Sequence, residues 1–143
     1  MRSAKEGIAP LLNARRDILQ AALDELSEPV AIWVLGAPQA AAQEDLSTLL
    51  SLQPLLSLRH REPAVADSLL PQVHYPVYGM SLPTDDVPRG NRFIGFPTGF
   101  SLDAFVDELL ALSRGIPQSS PLARETLSRL REPVTVRVFT SPG

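Results

Sequence analysis

The first half of the chain alternates between helical and strand-like hydrophobic patterns. Apolar residues recur at helical spacing between residues 11 and 26, with charged residues on the opposite side, which predicts an amphipathic helix. After Pro29, the continuous apolar run Val30–Leu35 is typical of a short strand buried on both faces. Helical spacing returns over residues 39–52, and residues 55–60 form a second predicted strand. This order favours a parallel strand pair with a right-handed crossover.

The second half predicts an antiparallel hairpin followed by the clearest helix of the chain. One or two helical turns are expected at residues 64–70. Strands are predicted at residues 77–82 and 92–96, and the loop between them is rich in turn-forming residues. The following helix has Ser101 as its predicted N-cap and ends at Arg114, before a glycine.

A last helix is predicted at residues 121–130 and a last strand at Val134–Phe139. The pattern therefore indicates an α/β fold with a central mixed sheet of about four strands, built as βαβ and then ββα and flanked by helices. An extra helix precedes this core, and a helix–strand extension follows it. Because an unpaired strand seeks an edge, we expect residues 134–139 to pair with this sheet, to pair with the tail of a second copy in a homodimer, or to be disordered.

One pattern, which links the end of a helix to a strand, occurs twice. Residues 23–38 and 127–142 share Leu-x-x-Leu-x-Glu-Pro-Val, further apolar residues in register and a later proline, 104 positions apart (Leu23 to Leu127). A period near the length of a domain indicates a duplicated unit and not a solenoid. We therefore predict a complete unit at residues 1–115, and at residues 116–143 a linker helix and the first strand of a second, truncated unit.

Composition narrows the possible functions. A chain of 143 residues suits one core, and 44% apolar with 20% charged residues is ordinary for a globular protein. The net charge of -3 comes without basic clusters, so we expect no nucleic-acid partner. No apolar run has the length of a membrane span or follows the amino terminus as in a signal peptide. We expect a cytoplasmic protein with no membrane partner.

The absence of cysteine excludes a disulfide framework, a thiolate metal site and a thiol nucleophile. His60 and His74 have no further ligands at metal spacing, so no metal site is expected. Asp85–Asp86 lies in a turn-rich loop, where paired carboxylates are usually solvated. Ser119–Ser120 has no nucleophile-elbow context, which disfavours a hydrolase. No cofactor is expected.

Two segments carry a resemblance to a known family. Residues 92–100, Arg-Phe-Ile-Gly-Phe-Pro-Thr-Gly-Phe, resemble the aromatic-x-Gly-apolar-Pro-x-Gly segment of tandem thioredoxin-fold proteins. Residues 134–143 resemble the strand and loop before that family's second Cys-x-x-Cys. The family includes the glutaredoxin-like protein disulfide oxidoreductases and the N-terminal region of the flavoprotein subunit of alkyl hydroperoxide reductase. The resemblance implies a thioredoxin-like fold from residue 11 onward.

In that family the active cysteine pair stands at the start of the helix after the first strand, where free amide hydrogens and the helix dipole stabilise a thiolate. Aligned by the internal repeat, the four active positions of this chain are Ala40, Ala41, Ala42 and Gln43. Neither a methyl group nor an amide can exchange disulfides. The resemblance thus implies a redox-inactive unit that is no enzyme by itself, with any active pair located after Gly143.

The resemblance also places Tyr75–Pro76 where the family carries a cis-proline before its third strand. In the family, the backbone before this proline pairs with an extended substrate. Tyr75, Pro76 and Gln43 are therefore candidate peptide-binding residues. The alternative is that the proline only shapes the core.

Two functions follow from these observations. The first is a non-catalytic scaffold or docking half of a tandem disulfide oxidoreductase, whose partner is a second thioredoxin-fold unit in the same chain or a separate protein. The second is a freestanding peptide-binding module that uses the groove beside the proline. An enzyme of another chemistry is disfavoured, because no acid, base and nucleophile are brought together by the motifs.

Overall fold

The structure, a computed structural model, describes residues 15–62, 76–98, 100–115 and 119–139. Within these ranges, four helices and four strands follow each other in the predicted order. They are α1 (Arg16–Leu23), β1 (Val30–Leu35), α2 (Ala40–Leu52), β2 (Leu56–Arg61), β3 (Val77–Ser81), β4 (Arg89–Ile94), α3 (Phe100–Arg114) and α4 (Pro121–Ser128). The helical turns predicted at residues 64–70, and Tyr75, lie outside the described ranges.

The four strands form one mixed sheet in the order β2-β1-β3-β4. β1 pairs in parallel with β2, in a register that places Ile32 opposite Leu58. β3 is antiparallel to both of its neighbours, β1 and β4. The predicted α/β architecture, βαβ followed by ββα, is confirmed, and it makes β1 a central strand.

β1 is buried along its whole length, as its continuous apolar sequence predicts. Alternate residues point to opposite faces of the sheet. Val30, Ile32 and Val34 belong to the main core cluster, which also holds leucines of α1, α2 and α3. Trp33 and Leu35 form a smaller cluster on the other face with Val77 of β3.

Hydrogen bonds fix the loop that leads from α1 into β1. The Ser113 hydroxyl, near the end of α3, accepts from the backbone N–H groups of Ser27 (3.0 Å) and Glu28 (2.8 Å) and donates to the Glu28 carbonyl (2.9 Å). Ser113 is buried, so these bonds form in a site largely closed to water. A helix distant in sequence thus determines where β1 begins.

Some boundaries differ from the prediction. β4 begins at Arg89, inside the predicted loop, because Arg89 pairs with Met80 past an irregularity in the ladder. Ser101 lies inside α3, which begins at Phe100, and the Ser101 N–H donates to the Thr98 carbonyl. Both differences arise from backbone pairing that a sequence pattern does not specify to the residue.

The segment of residues 119–139, here called the C-terminal arm, contains α4 and an extended stretch. Ser120 caps α4 by accepting from the Ala123 N–H at 3.1 Å. No residue of the arm is buried. The strand predicted at Val134–Phe139 is not formed, and within the described chain these residues pair with no strand of the sheet. A strand without a neighbour cannot satisfy its backbone groups by a ladder.

Candidate functional site

The turn between β1 and α2 positions the predicted active helix start. Gly36 follows β1 with a φ of 93°, a left-handed conformation that favours glycine. Its N–H donates to the Arg61 carbonyl at 3.1 Å, and its carbonyl lies 2.7 Å from the His60 Nε2 atom. Both contacts come from the end of β2. They hold the turn so that α2 begins four residues later, at Ala40.

The first turn of α2 contains the four predicted positions. Ala40, Ala41 and Gln43 are exposed, and Ala42 is half-buried. Gln39 precedes the helix in an extended conformation and provides no side-chain cap, and the first turn holds no acidic residue. The amide hydrogens of this turn therefore create the positive potential that would stabilise a thiolate. The side chains there, methyl groups and an amide, supply no thiol.

Pro76 lies at the same end of the sheet. It directly precedes β3, whose first residue, Val77, pairs with Leu35, the last residue of β1. The Pro76 carbonyl accepts from the Gly95 N–H at 2.9 Å, which ties this end of β3 to the end of β4. Topology thus brings Pro76 and the start of α2 to the same end of the sheet. Tyr75 lies outside the described residues, so the cis peptide stays a prediction.

Asp45 was not singled out by the sequence and lies on the inward side of α2, on the same stripe as Leu49 and Leu52. It is buried, with 8% of its surface exposed. Burial raises the pKa of the Asp45 carboxyl above its ordinary 3.8, and the negative charge of Glu44 raises it further. The signal available in the sequence was an acidic residue at a core position of a helical stripe.

Tyr78, the second residue of β3, packs in the main core next to the end of the strand that follows Pro76. Its ring is fully buried and meets Phe96 edge to face at 5.4 Å between centroids. The hydroxyl is also buried and has no hydrogen-bond partner among the described residues. Burial raises the pKa of Tyr78, so the phenol stays neutral. The ring of Tyr78 is therefore part of the apolar packing at this end of β3.

A groove of about 540 Å³ lies over the second face of the sheet, and sequence analysis did not predict it. It is lined by Trp33, Arg59, His60, Arg61, Asp86 and Val87. The Arg59 guanidinium stacks 5.3 Å from the centre of the Trp33 ring and donates to the carbonyls of Asp85 and Pro83. Its donors hold the loop between β3 and β4 against the sheet. Arg59 therefore has a structural role at this groove.

The loop between β3 and β4 approaches β3 so closely that position 79 requires glycine. A Cβ atom on Gly79 of β3 would stand 2.9 Å from the Pro88 Cβ atom, so only glycine allows the loop to approach the strand. Trp33 completes the packing, since its indole N–H donates to the Ser81 hydroxyl at 2.8 Å. The loop thus covers part of the face opposite the main core.

The described residues contain neither a cluster of metal ligands nor a membrane-spanning helix. Within them, no three His, Cys, Asp or Glu side chains stand close enough together to hold a metal ion. None of the helices described is both long and apolar enough to cross a bilayer.

Comparisons with known proteins add one finding. No protein-family model matches the sequence, and no curated protein matches it. The chain is similar to the crystal structure of a protein disulfide oxidoreductase from Aeropyrum pernix K1, with a TM-score of 0.59 and 19% sequence identity. The match covers 82% of this chain and 54% of that chain, so this chain spans about half the length of the structure it matches. The predicted thioredoxin-like fold is confirmed.

Proposed function

We propose that this chain is a redox-silent thioredoxin-like domain that serves as the N-terminal docking half of a tandem disulfide oxidoreductase and catalyses no disulfide exchange by itself. The observation that carries the proposal is the first turn of α2. The internal repeat aligns this turn with the position at which the resembled family activates a thiol, and the turn contains Ala40, Ala41, Ala42 and Gln43.

Two further observations support a docking role. The similar disulfide oxidoreductase is about twice as long as the matched region, so this chain corresponds in fold to one part of it. The C-terminal arm contains the same Leu-x-x-Leu-x-Glu-Pro-Val pattern that leads from the end of α1 into β1. A domain followed by a copy of its own opening is what a duplicated, two-unit protein contains.

Returning the missing thiols tests the assignment of the helix start. The double variant Ala40→Cys, Gln43→Cys places two thiols three positions apart on the first turn, a spacing that permits a disulfide. We expect the pKa of the thiol at position 40 to fall below the ordinary value of about 8.5, and insulin reduction to rise above the dithiothreitol background. The pKa is measured from the pH dependence of alkylation.

The matched control is Glu125→Cys, Ser128→Cys in α4, which has the same spacing away from the start of the helix. Its thiols should keep an ordinary pKa, because the helix dipole acts within the first turn. Equal alkylation profiles for the two double variants would contradict the proposal. So would reduction of insulin by the unmodified, cysteine-free chain.

The docking role needs a separate experiment. A cysteine-bearing thioredoxin-fold unit is joined in frame after Gly143, and its insulin reduction is compared with that of the same unit alone. We expect a higher kcat/KM in the fusion, because a docking half positions the substrate of its partner. Equal values would remove the docking role and leave the assignment of the helix start standing.

Peptide binding at the start of α2, beside Pro76, is a second candidate function. The uncapped first turn of α2 is exposed, and Pro76 begins β3 at the same edge. An extended peptide could pair with backbone near Pro76 and place an acceptor at the α2 amides. This predicts NMR shift changes on adding extended peptides, at Gln43 and Val77. Changes confined to other regions would contradict it.

A further inference from the structure

We propose that the groove over the second face of the sheet binds an extended acidic peptide, whose alternate carboxylates contact Arg59 and Arg61 of β2. The proposal goes beyond the proposed function, because it uses neither the first turn of α2 nor Pro76. It commits to one kind of partner, a peptide strand with an acidic residue at every second position.

Arg59 and Arg61 lie on the same face of β2, two residues apart. In the parallel ladder Arg59 is paired with Trp33 and Arg61 with Leu35, and both partners belong to the small cluster on the second face. Alternate residues of a strand share a face, and both arginines line the groove. Arg61 is exposed and Arg59 is half-buried. Two positive charges therefore stand side by side over one surface.

Neither Arg59 nor Arg61 forms an ion pair with a carboxylate of the described residues. Arg59 donates to two backbone carbonyls of the loop between β3 and β4, and Arg61 makes one long bond of 3.4 Å to the Asp86 carbonyl. The Asp85 carboxylate of the same loop is already bonded to Arg89 at 2.6 Å. The groove thus keeps two positive charges with spare donors, in a chain whose net charge is -3.

The guanidinium of Arg59 is fixed in place by its neighbours. It lies 5.3 Å from the centre of the Trp33 ring, and its bond to the Asp85 carbonyl is 2.7 Å long. A side chain that is already ordered loses little conformational freedom when a ligand binds. Trp33 and Val87 add apolar surface beside it, and such walls focus the field of nearby charges. Both effects favour the binding of an anion at this groove.

The spacing of the two arginines favours an extended peptide over a single small anion. Side chains two positions apart on a strand are separated by about 6.6 Å along it. An extended peptide has the same repeat, so acidic side chains at alternate positions can each face one arginine. A carboxylate can accept two parallel N–H bonds from one guanidinium. A groove of about 540 Å³ is within the size range of ligand sites.

Asp86 opposes this attraction. It is exposed and lines the same groove, and no ion pair with a described residue neutralises it. Its carboxylate repels an acidic ligand, whereas its backbone carbonyl is the group that accepts from Arg61. Removing the charge of Asp86 without its backbone should therefore strengthen binding.

The fluorescence of Trp33 provides the test, because it is the only tryptophan of the chain and lines the groove. The probe is a short peptide, capped at both ends, in which glutamate and threonine alternate. The control peptide has the same composition, but its glutamates stand in adjacent pairs separated by threonine pairs, so that none are two positions apart. At low salt we expect the alternating peptide to bind about 2- to 5-fold more tightly. Equal affinities, or no binding up to about 1 mM, would overturn the proposal.

Inorganic phosphate distinguishes a peptide site from a site for one oxyanion. At equal ionic strength, sodium phosphate and sodium chloride should weaken binding of the alternating peptide equally, because both act by screening. Stronger displacement by phosphate would make the groove a site for a single oxyanion and would contradict the peptide assignment.

Substitutions test the residues. Arg61→Gln should weaken binding of the alternating peptide about 2- to 5-fold, whereas Arg124→Gln, at an exposed position of α4, should leave it unchanged. Asp86→Asn should tighten binding about 2-fold. Equal losses for the two arginine variants would mean that only net charge matters and would refute the site, as would weaker binding by Asp86→Asn.

The three substituted positions are exposed, so the variants keep the fold, which circular dichroism verifies. The peptide titration and the thiol test at Ala40 and Gln43 use separate parts of the chain. Failure of the groove therefore leaves the proposed function standing, and failure of the thiol test leaves the groove.

Discussion

The end of α1 with β1 and the C-terminal arm show how one sequence pattern reaches two structural outcomes. Leu23, Leu26, Val30, Ile32 and Val34 are all at most 6% exposed. Their counterparts in the repeat are all more than half exposed, namely Leu127, Leu130, Val134, Val136 and Val138. Both copies contain a helix followed by Glu-Pro-Val and an apolar row. The difference shows that this pattern specifies which side chains can be buried, and that neighbouring strands decide whether they are.

The two copies also differ in how their loops are held. The loop before β1 is fixed by Ser113, whose hydroxyl bonds to Ser27 and Glu28. In the arm, Arg131 and Glu132 occupy the equivalent positions and are exposed. The first copy is thus anchored by a residue from another helix, whereas the arm holds local contacts such as the Glu125–Arg129 ion pair.

The largest expected difference between the copies comes from identical leucine truncations. Leu23→Ala should lower the free energy of unfolding by about 2–5 kcal/mol, because it leaves a cavity in the core. Leu127→Ala, at the equivalent exposed position, should change it by less than about 0.5 kcal/mol. Urea denaturation at low protein concentration measures both. A cost above about 1 kcal/mol for Leu127→Ala would mean that the arm packs against the sheet or against one of the helices α1 to α3.

A smaller difference in the free energy of unfolding is expected between substitutions at Ser113 of α3 and Ser128 of α4. Ser113→Ala should cost about 1–3 kcal/mol, because it removes a buried hydroxyl that accepts from the N–H groups of both Ser27 and Glu28. Ser128→Ala removes an exposed bond to the Glu125 carbonyl and should stay within about 0.5 kcal/mol. The same denaturation measurement applies. Equal costs would show that Ser113 does not anchor the first copy.

The smallest expected effect is a difference in the pH dependence of unfolding between a substitution at Asp45 in α2 and one at Glu125 in the C-terminal arm. The pKa of Asp45 is raised in the folded chain, so the folded state binds its proton more tightly than the unfolded state does. The stability from this proton is present below about pH 3.8 and is lost as pH rises through the raised pKa. Asp45→Asn should therefore be more stable than the parent at pH 7, with the advantage shrinking toward pH 4.

The control for this titration is Glu125→Gln in α4, at an exposed site. It should alter the pH dependence of unfolding less than Asp45→Asn does, because solvent screens an exposed charge in both states. The measured quantity is the difference in free energy of unfolding between variant and parent at each pH. A rising advantage of Asp45→Asn toward low pH would reverse the sign and contradict the raised pKa.

Strand and helix positions in the body could be predicted because each had a strong local signal. The continuous apolar run of β1 matches the observed strand, Val30–Leu35, residue for residue. The start of α2 was predicted one residue early, at Gln39, and the repeat placed Ala40–Gln43 on its first turn. Proline and glycine at the element ends supplied the boundaries.

Other features depended on contacts between distant segments. The groove beside Trp33 forms because Arg59 holds the loop between β3 and β4, and the pattern of β2 alone does not reveal that contact. The early start of β4 depends on its register with β3. The burial of Asp45 depends on how the inward stripe of α2 packs against the rest of the core.

The sequence by itself determined the order of elements, the absence of a thiol and the identity of the four residues at the start of α2, because composition, periodicity and position in the chain are local properties. Only the tertiary structure decided which copy of the repeat is buried and how the described strands are ordered in the sheet. Burial and strand pairing require a neighbour in space, and no single segment encodes its neighbour.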